Sequence, residues 1–271
     1  MEATEKVFWV PKEGYSPDEY EDAFSCAPEK GHFAIADGAT ESSFADLWAQ
    51  CLVQRFTASP PPGNPPDASA LVQWLSPLQK EWHSSIAWDR LPWYAEEKAR
   101  TGAFATLLGI RFEPPKPPEK PSFFQRLFGG GDKGPQLPQW RAITVGDSNL
   151  FHIRNNTLIK TWPIEKAAQF DSRPCLLSSN PNRNQPVWAQ VQHLQGDYQE
   201  NDVFILATDA IAKWFLQRYE AGSKPWQQLQ EIKDEADYAK FVAKLRKDFG
   251  MRNDDTTVIL FKWKASKPPQ S

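Results

Sequence analysis

The chain has 271 residues, a net charge of −3 and a hydrophobic share of 40%. That is enough apolar material for a substantial core, and the charge gives no drive toward nucleic acid or an anionic membrane. Three cysteines without metal-type spacing, a start unlike a signal peptide and no apolar run long enough for a bilayer span lead to the expectation of a cytoplasmic protein with free thiols.

Val7–Val10 reads as a first strand closed by Pro11, followed by a turn-rich stretch to Tyr20. Ala23–Ala27 and His32–Ala36 read as the next strands, joined at Lys30-Gly31. Beyond Asp37 the period changes. Phe44, Leu47, Trp48, Cys51 and Leu52 fall at helical spacing, with Ser42 or Ser43 available as a cap. A proline-rich loop, Ser59–Pro66, leads to a second helical stripe of Leu71, Leu75, Leu78, Trp82 and Ile86, which Pro77 should kink or break. Trp82, Trp88 and Trp93 read as core residues.

Thr101–Phe112 reads as one small-residue strand. The stretch 113–139 differs in kind, with five prolines from Pro114 to Pro121 and then Gly129-Gly130-Gly131. Such composition builds no core and reads as an insertion within a single domain spanning 1–271. At its centre, Phe123-Phe124-Gln125-Arg126-Leu127-Phe128 reads either as a short helix or plug packed on the domain surface or as a docking motif for a partner or membrane surface. Trp140–Asp147 and Leu150–Arg154 follow as strands, and Asn155-Asn156 is a hairpin turn. Asp209–Tyr219 reads as a helix with Ile211, Trp214 and Phe215 inward. Asp237–Phe249 is another, stopped by Gly250, and Thr256–Trp263 is the last strand.

Four of these apolar runs carry aspartates at or beside one end: Asp37, Asp147, Asp209 and the pair Asp254-Asp255. A carboxylate beside a buried strand is costly unless it is compensated. If the strands lie side by side, several carboxylates share a small volume, and a cation is the natural way to neutralise them. Oxygen donors of this kind suit Mg²⁺, Mn²⁺ or Ca²⁺. A turn or cap role remains the alternative for each, most of all for Asp147 in Gly-Asp-Ser. Glu41 and Ser42 fit capping as well as catalysis. His32, His83, His152 and His193 are scattered and read as structural or exposed.

Taken in order, Tyr20-Glu21-Asp22-Ala23-Phe24, Phe33-Ala34-Ile35-Ala36-Asp37-Gly38, Thr101-Gly102-Ala103-Phe104-Ala105-Thr106, Val145-Gly146-Asp147-Ser148, Leu206-Ala207-Thr208-Asp209-Ala210 and Asp254-Asp255-Thr256-Thr257-Val258 resemble the motif series of the metal-dependent type-2C serine/threonine protein phosphatases, in a divergent, bacterial-type form. The resemblance implies an α+β four-layer sandwich, with two central antiparallel sheets flanked by helices. It implies two ions, Mg²⁺ or Mn²⁺, with Asp37 bridging them, Asp209 and Asp254 completing the first site, and the Gly38 carbonyl with Glu21 or Asp22 serving the second. Asp147 would suit a third ion found in some members. Asp37 and Asp22 are the implied catalytic pair, and a metal-activated water would hydrolyse phosphoserine or phosphothreonine in a protein partner.

The chain departs from the family where a phosphate-gripping Arg is usual, since Pro17 stands there, and Tyr20 replaces an Asn. Ala39 leaves no proton donor to the leaving group, and Ala210 and Lys213 replace a Gly and a frequently acidic residue. The phosphate-binding group is therefore open, with Lys12 and Lys213 as candidates. The other functional expectation is a member with little or no activity that acts as a phosphoprotein-binding module.

Overall fold

The computed structural model describes residues 2–113, 138–170 and 173–264. Side-chain alternation decides its architecture. In β1 (Glu2–Val10), β12 (Thr256–Lys264) and β11 (Val203–Ala207), successive residues face opposite sides, as a strand requires. All five residues of β11 are buried, with Val203, Ile205 and Ala207 in one core and Phe204 and Leu206 in another. A strand apolar on both faces needs cover on both.

That cover comes from a four-layer sandwich, as the resemblance implies. One antiparallel sheet runs β1-β12-β11-β7-β8, with β7 at Asn149–Arg154 and β8 at Thr157–Trp162. The second runs β10-β6-β5-β3-β2: β10 is Gln192–Asp197, β6 Gln139–Val145, β5 Leu107–Glu113, β3 His32–Ala36 and β2 Ala23–Ala27. A short pair, β4 (Phe104–Ala105) and β9 (Leu177–Ser178), stands apart. Helices α1 (Ala45–Ala58) and α2 (Ala68–Ser85) share a core with the second sheet. Helices α4 (Asp209–Glu220), α5 (Pro225–Glu231) and α6 (Glu235–Phe249) share one with the first. Helix α3 (Trp93–Arg100) precedes β4.

Between the sheets lies an aromatic core. Phe33 of β3 stacks on Phe261 of β12 at 4.1 Å between ring centres, and Phe112 meets Phe204 edge to face at 5.0 Å. Each fully buried ring contributes about 1.5–3 kcal/mol, so this layer fixes how the two sheets face each other. On the outer face of the second sheet, Phe56 of α1 lies over Gly109 of β5. A Cβ at position 109 would fall 2.4 Å from that ring.

Several local expectations change. Thr101–Phe112 is not one strand but β4 and β5, which break at Thr106 and join different sheets. Helix α1 is not capped by Ser42 or Ser43. Its N-cap is Phe44, in a left-handed conformation without a side-chain cap, while the Ser42 hydroxyl bonds the Ala39 carbonyl. Leu47 faces out, 38% exposed. Pro77 does not end α2, because it sits on the exposed face, where water can satisfy the carbonyl it leaves unpaired. Trp93 is 77% exposed and not core. Asn155 and Asn156 do turn the β7–β8 hairpin, at φ 50° and 57°. The Phe123–Phe128 motif lies outside the described residues.

Candidate metal and catalytic site

Strand register places the acidic residues. Ala23 pairs with Ala36 across β2 and β3, so Asp22 and Asp37 flank the sheet at the same edge. In the other sheet Ala207 pairs with Val258. Beyond that pair the Thr208 N–H donates to the Thr257 carbonyl at 3.1 Å, and the Thr257 N–H donates to the Thr208 hydroxyl at 3.0 Å. Helix α4 then opens at Asp209, and Asp254 and Asp255 precede β12. Asp147 sits in the turn from β6 to β7. Gly146 makes that turn possible, with φ +104° and no room for a Cβ against Thr106.

Asp37 is held by its backbone. Its N–H donates to the Thr106 hydroxyl at 2.8 Å, and the Thr106 N–H donates to its carbonyl at 2.8 Å. Burial, and then the charges of Asp22, Asp209, Asp147 and Asp254, hold its carboxyl well above the usual carboxylate range. Asp22 is raised likewise, by burial first and then by Asp255, although the Thr257 hydroxyl donates to it at 2.6 Å. Tyr20 in turn hydrogen-bonds Thr257. Asp209 is raised by burial and by Asp254, and its Oδ1 is buried without a hydrogen-bond partner among the described residues.

Cations rim the cluster. Lys12 Nζ lies 2.8 Å from Glu21 Oε2 and 3.5 Å from Asp254 Oδ1, and donates to Thr40 at 2.6 Å. Arg252 spans Asp209 at 3.4 Å and Asp254 at 3.0 Å. An open cleft of about 720 Å³ adjoins Asp209, walled in part by Gln169, Phe170, Lys213, Gln217 and Arg252.

The charges of Asp22, Asp147, Asp209 and Asp254 all reach Asp37. The Glu21 side chain is turned to Lys12 and Thr40. Gly38 is needed for space, since a Cβ would lie 2.6 Å from the Glu21 carbonyl. Sequence reasoning noted Asp255 but gave it no role; its two oxygens accept the N–H groups of Lys12 and Glu21 at 2.9 and 2.7 Å. Its signal was the doubled aspartate. Arg252 was missed.

The donors are all oxygens, they repel one another, and one buried carboxylate oxygen lacks a partner. In kind this set fits Mg²⁺ or Mn²⁺. Among the described residues, however, no three His, Cys, Asp or Glu side chains close into a ready-made cage.

No protein-family model matches the chain, and no curated protein matches it in sequence. Solved structures do match. The Mycobacterium tuberculosis serine/threonine phosphatase PstP/Ppp superposes with a TM-score of 0.58 at 13% identity, covering 98% of this chain and 100% of that one. A catalytic domain of the serine/threonine phosphatase PstP in complex with two manganese ions gives 0.56 at 12%, covering 97% and 99%. The photosystem II phosphatase PBCP gives 0.56 at 15%, covering 97% and 100%. At such identities the likeness speaks for architecture, and the chain has the fold of the metal-dependent type-2C protein phosphatases.

Proposed function

We propose that this chain hydrolyses phosphoserine or phosphothreonine in proteins with the aid of two Mg²⁺ or Mn²⁺ ions, as one phosphatase-like domain in a cytoplasmic setting. The observation that carries this reading is the convergence of Asp22, Asp37, Asp147, Asp209 and Asp254, with raised pKa values for Asp22, Asp37 and Asp209, at one edge of the sandwich. Asp37, the Gly38 carbonyl, Asp209 and Asp254 would hold the two ions, with Glu21 and Asp22 serving the second and Asp147 a third. Such ions lower the pKa of water and offset charge on the phosphoryl oxygens.

The chain's own groups supply the rest. Asp22 and Asp37 orient the attacking water and accept its proton. Pro17 cannot grip phosphate, but Lys12, Lys213 and Arg252 place positive charge around the carboxylates and the adjoining cleft. Thr257 fixes the Asp22 rotamer through its 2.6 Å bond. The Asp255 clamp on the Lys12 and Glu21 backbones joins the first motif to the last.

The test is hydrolysis of p-nitrophenyl phosphate and a phosphothreonine peptide with Mn²⁺, Mg²⁺ or EDTA. Turnover that needs metal and stops with EDTA is expected. A second reading, a phosphoprotein-binding module, is favoured by the ion pairs that engage Glu21, Asp209 and Asp254. It predicts phosphopeptide binding without turnover under any metal.

A further inference from the structure

A second concave site lies on the outer face of the second sheet, at the end remote from Asp37. Register lines up His32, Arg111, Arg141 and Gln195 across β3, β5, β6 and β10. Arg111 and Arg141 are direct cross-strand neighbours on one face, an arrangement that is normally destabilising. One carboxylate serves both. Glu113 Oε1 lies 2.6 Å from Arg141 Nη1 and 3.6 Å from Arg111 Nε. Arg111 Nη2 donates to the Gly63 carbonyl at 3.1 Å. Arg141 Nε is buried with no hydrogen-bond partner among the described residues, a state that costs free energy. Burial, and then the charge of Arg141 working against Glu113, pull the pKa of Arg111 down.

These two guanidinium groups border a cavity of about 330 Å³. Among the described residues its apolar walls are Phe56, Ile143 and the proline-rich loop around Pro65, and no Asp or Glu lines it. His193 at its edge is held below its usual pKa by burial, so it adds hydrogen-bonding capacity and no charge at neutral pH. Apolar walls with a few convergent polar groups are the usual form of a small-molecule site, and the volume is of the usual size. Guanidinium forks match a two-oxygen anion.

We propose that this cavity is a binding site for a small amphipathic anion, an aromatic or alkyl carboxylate or phosphonate-like acid, whose head lies between Arg111 and Arg141 and whose apolar body lies against Phe56, Ile143 and Pro65. The site is separate from the carboxylate cluster at the other end of the sheet. Its existence does not depend on phosphatase activity.

The test is an amide NMR titration of the full ¹⁵N-labelled chain in EDTA with phenylacetate, phenylphosphonate and the neutral phenylacetamide. Both acids should shift resonances of Arg111, Ile143 and Leu194 with millimolar affinity, about what so few atoms can supply, and the amide should bind about tenfold more weakly. Arg111→Gln and Arg141→Gln should each weaken the acids about tenfold. Arg111→Gln leaves the Arg141–Glu113 pair intact, so it remains informative if Arg141→Gln fails to fold. Equal binding of acid and amide, binding unchanged in Arg111→Gln, or no shifts at about 20 mM acid would overturn the proposal. So would acid binding that emerges only on deletion of residues 114–137, since the occupant would then be this chain itself.

Discussion

Replacing Asp37 with Asn separates a functional carboxylate from a structural one by the sign of its effect on stability. A folded-state pKa raised above the unfolded value means that the folded protein holds more protons than the unfolded chain. Stability then falls as pH rises from about 4, where an unfolded Asp ionises, toward the raised folded value. At neutral pH a carboxyl held in this way costs the metal-free protein stability, whether through charge repulsion or through uptake of a proton, and Asn removes that cost. Among the described residues no hydrogen bond to the Asp37 carboxylate is lost, because its bonds run through the backbone to Thr106. Relief of carboxylate repulsion at an effective dielectric of about 20 is on the order of 1–2 kcal/mol. For a chain of this size each kcal/mol raises Tm by about 2–4 °C. Calorimetry in EDTA at pH 7.5 should therefore show Asp37→Asn melting about 2–8 °C above the parent, while its metal-dependent hydrolysis is lost. The advantage should shrink at pH 4.5 and also shrink or reverse with saturating Mn²⁺. A lower Tm in EDTA, or full hydrolysis by the variant, would refute the reasoning.

Other consequences follow from single contacts. Gly109→Ala should cost about 1–3 kcal/mol in urea denaturation, because the new Cβ meets Phe56. Adding Phe56→Leu should recover part of that loss, and strict additivity would mean that the two residues do not meet. Burial alone would raise the pKa of Asp202, but bonds from His152, Arg154 and the Gln199 N–H hold it at about 2. The stability it supplies, about 2 kcal/mol for a shift of this size, should be present above about pH 4 and disappear as pH falls through 2. The gap between parent and Asp202→Asn should therefore close over that window in acid unfolding curves, and a gap independent of pH would contradict the assignment. Deleting residues 114–137 should leave hydrolysis of a small aryl phosphate within about twofold; insoluble protein would show that the segment belongs to the core.

What was legible in the sequence tracks how local its physical cause is. β2 and β3 were readable to the residue because each is a short apolar run with a turn or charge at its ends. Helix α6 was readable because Gly250 terminates it in the left-handed conformation, φ +62°. β10 was not, because Gln192–Asp197 is a polar edge strand with little burial to pattern it. Glu5 and Lys6 stand before the apolar run Val7–Val10, and β1 extends to Glu2 only through its pairing with Lys264 at the far end of the chain.

The candidate site divides along the same line. Its carboxylates stand at strand ends, so a linear reading finds them. The cations and clamps arise from contacts between remote segments, such as the Lys12 N–H on Asp255, separated by 243 positions. The resemblance to a known motif series drew attention to what Pro17 cannot do, whereas only the fold locates Lys12 and Arg252 on the carboxylates themselves. The distinction has a chemical consequence. Lys12 is half-buried, yet its bond to Glu21 and the charges of Glu21, Asp255 and Asp254 outweigh that burial and hold its pKa above the usual lysine value. It therefore stays a cation throughout the neutral range, so the positive charge that Lys12 places at this rim does not vary there.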